Sequence, residues 1–192
     1  MMNTNRKAQI RTCEDSPQAS AEQRLRELSI KLPAPPEPFG TYAEAVQTGN
    51  LLFLTGMLPT EGRVAKFVGR VGAELDLEAG REATHLAALN VLAVARQHLG
   101  SLDKVTRVVR LGVSVATSGD VRDQPKIADA ASELLQDVFG KDKNPLSPGI
   151  RRRKPSPRRA GRTGSHFRGC YLICVRARAL VVPPQRFKNL SS

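Results

Sequence analysis

Beyond Pro145 the chain carries twelve Arg or Lys and not one Asp or Glu. Taking those twelve from the 30 basic residues of the whole chain leaves 18, which match its 18 acidic residues. The first 145 residues are therefore neutral, and the entire net charge of +12 sits after them. A stretch of one sign cannot offset its own repulsion by internal pairing. Two different kinds of sequence thus meet at the Pro145/Leu146 junction. The first has the means to make one domain, because a chain that is 40% hydrophobic and 25% charged is not disordered throughout. No apolar run approaches the roughly 18 residues needed to cross a bilayer, and Met1 to Cys13 lacks the apolar core of a secretory signal. Cys13, Cys170 and Cys174 are too few and too scattered for a disulfide framework. A cytoplasmic location without membrane partners is expected.

Met1 to Ala19 is polar and patternless and reads as a disordered leader. Residues 20–38 read as an N-terminal helix and a proline-rich linker. Ser20 with Gln23 makes a capping box, Leu25, Leu28 and Leu32 follow at helical spacing, and Pro33 to Pro38 ends the helix. Two strands, Tyr42 to Gln47 and Leu51 to Thr55, flank Thr48-Gly49-Asn50, where Gly and Asn supply the positive φ of a tight hairpin. A third short strand is expected at Val64 to Val68. Asp76 caps a long helix that Gly100 closes; between Leu86 and Ala95 only Asn90 is polar, so this helix is covered on most sides. The β-branched run Val105 to Val115 predicts a central strand. Asp123 and Pro125 then start a helix whose apolar stripe is Ile127, Ala131, Leu134, Leu135 and Val138, closed by Gly140.

A helix with one apolar stripe facing a sheet ordinarily leads into another strand. Here it leads into a run, Ser147 to Arg159, of clustered arginines and three prolines. Proline lacks the ladder donor and like charges repel, so this run is excluded from a sheet interior. The fold reads as one strand short.

At Thr41-Tyr-Ala-Glu-Ala-Val46, Gly49-Asn-Leu-Leu-Phe-Leu-Thr-Gly56 and Asp123-Gln-Pro-Lys126 the chain resembles the YjgF/RidA (Rid) family, in the branch with an extra N-terminal helix. The resemblance runs from about Ser20 to Pro145, and the hairpin motif is its most specific part. It implies an α+β, chorismate-mutase-like (ferredoxin-like) sheet with two helices on one face, a Rid-like domain over residues 39–145. It also implies a homotrimer with ligand clefts between subunits. The implied activity is hydrolysis of reactive enamines and imines such as 2-aminoacrylate to 2-keto acids and ammonia, with no metal and no organic cofactor.

Family members end in a strand pair carrying an arginine and a glutamate, which residues 146–192 do not supply. Codon degeneracy lets another frame be examined. Back-translated with free third positions and begun one base later, Leu146 to Gly169 can read CRLVYGVASLPLGVPVELEVIFEV without a stop. Two bases of most codons are fixed, so compatibility over the whole stretch points to a basic tail that is out of frame from the Pro145/Leu146 junction. Its alternating VELEVIFEV is the expected last strand.

The resemblance implies an arginine fork on the substrate carboxylate and a glutamate, or backbone groups, placing the attacking water. The displaced frame offers both; Arg151 to Arg153 lack a strand to aim them, so no catalytic residue is assigned in the chain as written. Three matched positions remain for substrate binding. Tyr42 stands at the family's cleft tyrosine, Thr55 where the family often has serine, and Gly56 follows it. Tyr42 also reads as a half-buried strand tyrosine, and Thr55 as a β-branched strand residue with a satisfied hydroxyl. Around Gln124 and Pro125 the chain departs from the commoner family pattern. His85 and His98 are too far apart to chelate together, Asp103 and Asp120 read as turn or cap residues, and Cys170, Cys174 and His166 lack a second ligand pair, so no metal site is expected.

The expected function is therefore Rid-type imine and enamine deamination of a small carboxylate-bearing substrate, inactive and poorly soluble in the chain as written. Two alternatives are a non-catalytic small-ligand-binding trimer and nucleic-acid binding through Arg151 to Arg159, which would hold phosphates non-specifically.

Overall fold

The computed structural model describes residues 19–38, 40–119, 121–144, 149–153 and 174–181, the backbone alone for 151–153 and 174–181. Helix α1 (Ala21–Glu27) starts as its capping box dictates: Ser20 Oγ accepts from the Gln23 N–H at 3.2 Å. It ends earlier than the Leu25/Leu28/Leu32 spacing predicts. Ser29 takes a left-handed φ of 55°, its N–H donates to Arg26 O, and the Ile30 N–H donates to Leu25 O. These two bonds close the helix in a Schellman turn and leave Leu28 half-exposed.

Strands β1 (Ala45–Thr48) and β2 (Leu51–Leu54) form the expected antiparallel hairpin about Gly49, whose φ is 58°. The single strand expected at Val64 to Val68 is instead a two-residue ribbon, β3 (Thr60–Glu61) with β4 (Val64–Ala65), separate from the main sheet. Helix α2 (Leu77–Leu99) runs between its predicted caps. Asp76 accepts from the Ala79 N–H at 2.8 Å, and Gly100 turns left-handed with a φ of 81°. Strand β5 (Arg107–Ala116) and helix α3 (Gln124–Phe139) follow, and the predicted stripe from Ile127 to Val138 is buried.

The main sheet has the order β1-β2-β7-β5-β6, with β6 (Gly149–Arg153) and β7 (Cys174–Val181) both drawn from the acid-free tail. This corrects the expectation of a missing strand. Strand β7 is antiparallel to β2 and to β5 and fills the seat between them. Its sequence, Cys-Val-Arg-Ala-Arg-Ala-Leu-Val, alternates charged with small apolar residues, and the register sets Val175 opposite Val113 and Ala177 opposite Leu111, both buried on β5. Arg151 to Arg153 also have a strand: β6 runs parallel to β5 at the sheet edge, where a ladder is needed on one side only. The sheet therefore takes strands from both sides of Pro145.

Helices α2 and α3 cover one sheet face, as expected. Leu52, Leu54, Val108, Leu111, Val113 and Val115 join residues of both helices in a single core. The opposite face leaves Val46, Phe53 and Val109 at 52%, 39% and 48% exposure. The leader to residue 18, Cys13, Asp120, His166 and Cys170 lie outside the described residues.

Candidate functional site

The hairpin carries the site because its ladder extends one step beyond the strands: the Thr55 N–H donates to Glu44 O at 2.9 Å. That bond sets the residues before β1 beside those after β2. Tyr42, Thr55 and Gly56 consequently line one hollow, together with Glu44, Met57 and Thr60. The three positions singled out in the sequence are thus brought together. Tyr42 is 47% exposed, whereas Thr55 and Gly56 are partly buried.

The far wall of the hollow, Gly56 to Thr60, is held from below by Asn90 of α2. Its side-chain amide donates to Leu58 O at 2.8 Å and to Thr60 O at 2.9 Å, and the residue is 1% exposed. Buried carbonyls without donors are costly, so one amide satisfying two of them fixes the path of the segment. Asn90 is the polar interruption noted in the sequence; its partners lie some 30 residues earlier and no local pattern reveals them. A second, wider groove adjoins the hollow across Tyr42 and Glu44 and reaches Val94, Gln97 and His98 near the end of α2. Glu44, Gln97 and His98 went unrecognised in the sequence as possible lining.

The remaining candidates fall elsewhere. Gln124 is buried at the start of α3, its amide donating back to Val121 O, and does not line the hollow. His85 is on the outer side of α2, beside Glu82, Glu133 and Asp137 in the groove against α3. Asp103 lies in a short turn and accepts the Glu22 N–H at 3.0 Å. Among the described residues no three His, Cys, Asp or Glu side chains converge as metal ligands, and no helix is long and apolar enough to cross a membrane. No arginine among the described residues lines the hollow, and the glutamates that do, Glu37 and Glu44, lie before β1 and not in the C-terminal strands where the resemblance implies one.

The family described as "YjgF/chorismate_mutase-like, putative endoribonuclease" matches residues 22–146. The chain belongs to this family. Protein TCP17 of Trypanosoma cruzi is 37% identical over 118 residues, covering 62% of this chain and 74% of that protein. A 2-iminobutanoate/2-iminopropanoate deaminase of Dermatophagoides farinae is 29% identical over 111 residues, 57% of this chain and 75% of that one. Among solved structures, a "putative endoribonuclease" from Shewanella oneidensis superposes with a TM-score of 0.70 at 25% identity, over 83% of this chain and 99% of its own. The α+β, chorismate-mutase-like fold expected from the resemblance is the fold observed.

Proposed function

We propose that this chain is built on the scaffold of an imine/enamine deaminase, one that converts 2-imino and enamino acids such as 2-aminoacrylate to 2-keto acids and ammonia. The observation that carries this reading is the convergence of Tyr42, Thr55 and Gly56 in one hollow at the hairpin; the 29% identity to the Dermatophagoides deaminase supports it. An enamine first tautomerises to the imine. Water then adds to the C=N carbon, the nitrogen takes up protons, and the C–N bond breaks to leave a carbonyl and ammonia. In this reading the Tyr42 and Thr55 hydroxyls hydrogen-bond the polar end of a substrate at the mouth of the hollow. A homotrimer with clefts between subunits, working in the cytoplasm without metal or organic cofactor, completes the proposal.

The substrate carboxylate calls for an arginine, and the attacking water for a carboxylate or backbone groups. Both side chains stand in the displaced frame, as the R of CRLVYG and a glutamate of VELEVIF, and we propose that this frame is the functional one. Strand β6 lies on residues 149–153, where that frame reads VYGVA. The test is ammonia release from 2-aminoacrylate generated in the cuvette, run on the chain as written and on the frame-displaced chain. The expected result is turnover by the frame-displaced chain and at least a hundredfold less by the written one. Equal turnover would remove the arginine and glutamate from the mechanism; none from either would leave a ligand-binding trimer.

A second reading has its own observation. The family description names endoribonuclease, and twelve unopposed positive charges follow Pro145. RNA cleavage that persists at 200 mM salt, about the level at which phosphate-only contacts weaken sharply, and that is lost when Arg151 to Arg159 are neutralised, would favour it.

A further inference from the structure

Tyr42 and Glu44 belong to two hollows at once. The inner one, with Thr55 and Gly56, has a volume of only about 20 Å³, room for roughly one water. The outer groove that adjoins it, reaching Val94, Gln97 and His98, has about 450 Å³, the size of a small-molecule site. A ligand engaging Tyr42 lays its body in the outer groove, with only its small polar end turned toward the inner hollow.

The described lining of this double hollow is opposite in charge to the chain. No Lys or Arg among the described residues lines either part, although the chain carries a net charge of +12. Two carboxylates do. Glu37 is engaged by Arg63 at 3.4 Å, while Glu44 has no ion-pair partner among the described residues and is partly buried. Beside it Pro38, Ala45 and Val94 offer an apolar strip. A lone, partly desolvated carboxylate at the end of an apolar strip matches a cation on a methylene stem.

We infer that the outer groove receives the cationic side chain of the substrate: an imino acid whose far end is a guanidinium or ammonium pairs with Glu44, its stem lying along Pro38 and Val94. Glu44 is then a specificity-determining residue. The inference rests on the imine reading for the substrate's reacting end, but the groove's preference for a cation does not.

The test separates the two. Propylguanidinium and its neutral isostere propylurea are titrated into the full-length chain while the amide signals of residues 42–45 are followed by NMR. Saturable shifts with propylguanidinium, at least about fivefold tighter than with propylurea, are expected, a ratio on the scale of an exposed ion pair. Glu44→Gln is expected to bring the two ligands level. Equal binding of both, or binding of propylguanidinium unaffected by Glu44→Gln, overturns the inference. In parallel, an amino-acid oxidase supplies the imines of arginine and citrulline to the frame-displaced chain, and their kcat/KM ratio is expected to be about five, falling to about one in Glu44→Gln. Selective propylguanidinium binding with no hydrolysis of either imine would sustain the cation groove and refute the deaminase reading.

Discussion

Strands β2 and β7 are neighbours in one sheet, yet they come from opposite kinds of sequence. Strand β2 lies in the charge-balanced body and is anchored by Leu52 and Leu54, which are 0% and 3% exposed. Strand β7 comes from a segment with no acidic residue at all and carries Arg176 and Arg178. They do not share a sequence pattern: β2 is Leu-Leu-Phe-Leu with alternating burial, whereas Val175 to Ala179 alternates small apolar residues with arginine. The comparison teaches that neutrality of the surrounding segment is not what qualifies a stretch for a central seat.

The most severe way to break this comparison is to remove one side of it. Truncation after Asn144 deletes β6 and β7 and bares the facing edges of β2 and β5. The expected loss exceeds the ~5–15 kcal/mol that holds a domain together, so urea titration followed by circular dichroism should show no cooperative transition. Within β5 the contrast is between faces. Leu111→Ala, at a site 0% exposed and paired with Ala177 of β7, is expected to cost ~2–5 kcal/mol, whereas Val109→Thr on the open face should stay within about 0.5 kcal/mol. Chemical denaturation of both variants checks this pair.

Asn90→Ala removes the amide that serves Leu58 O and Thr60 O. Stability should fall by about 1–3 kcal/mol, and the amide signals of residues 56–60 should shift more than those of β5. The smallest effect sits in the body at the turn before α2. Arg70, through its side chain and then its backbone N–H, holds the Glu74 carboxyl down at about 2 from an ordinary 4.5. Because this folded-state value is depressed, whatever stability it confers is full above the ordinary value and is lost as pH falls toward 2. The group is at the surface, so the effect is best read as a titration midpoint: carboxyl NMR should place Glu74 near 2, and Arg70→Ala should return it to the ordinary range.

Local signals carried most of the fold into view. Ser20, Asp76 and Gly100 mark helix ends by hydrogen bonds made within a few residues, and the α3 stripe is a single-helix pattern. The early end of α1 escaped because its left-handed turn is made by Ser29, not by glycine. Strand β7 escaped because the uniform charge around it obscured its alternation. At the site, Tyr42, Thr55 and Gly56 were legible through the hairpin motif, whereas Asn90 and Glu44 act on partners defined only by tertiary folding. The Asn90 amide reaches carbonyls on a different element, and Glu44 matters through the groove it shares with the end of α2.

The sheet order also has a consequence for synthesis on the ribosome. Of the described strands β7 is the last made, and it sits at the centre, pairing Val181 with both Leu51 and Arg107. Until it emerges, β2 and β5 lack the strand that joins them, and the body cannot close its sheet. At about 5–20 residues per second, translation from Ala116 to Val181 takes roughly 3 to 13 s. Throughout that interval two bare strand edges are open to any passing extended chain, so nascent-chain protection is a requirement imposed by the topology itself.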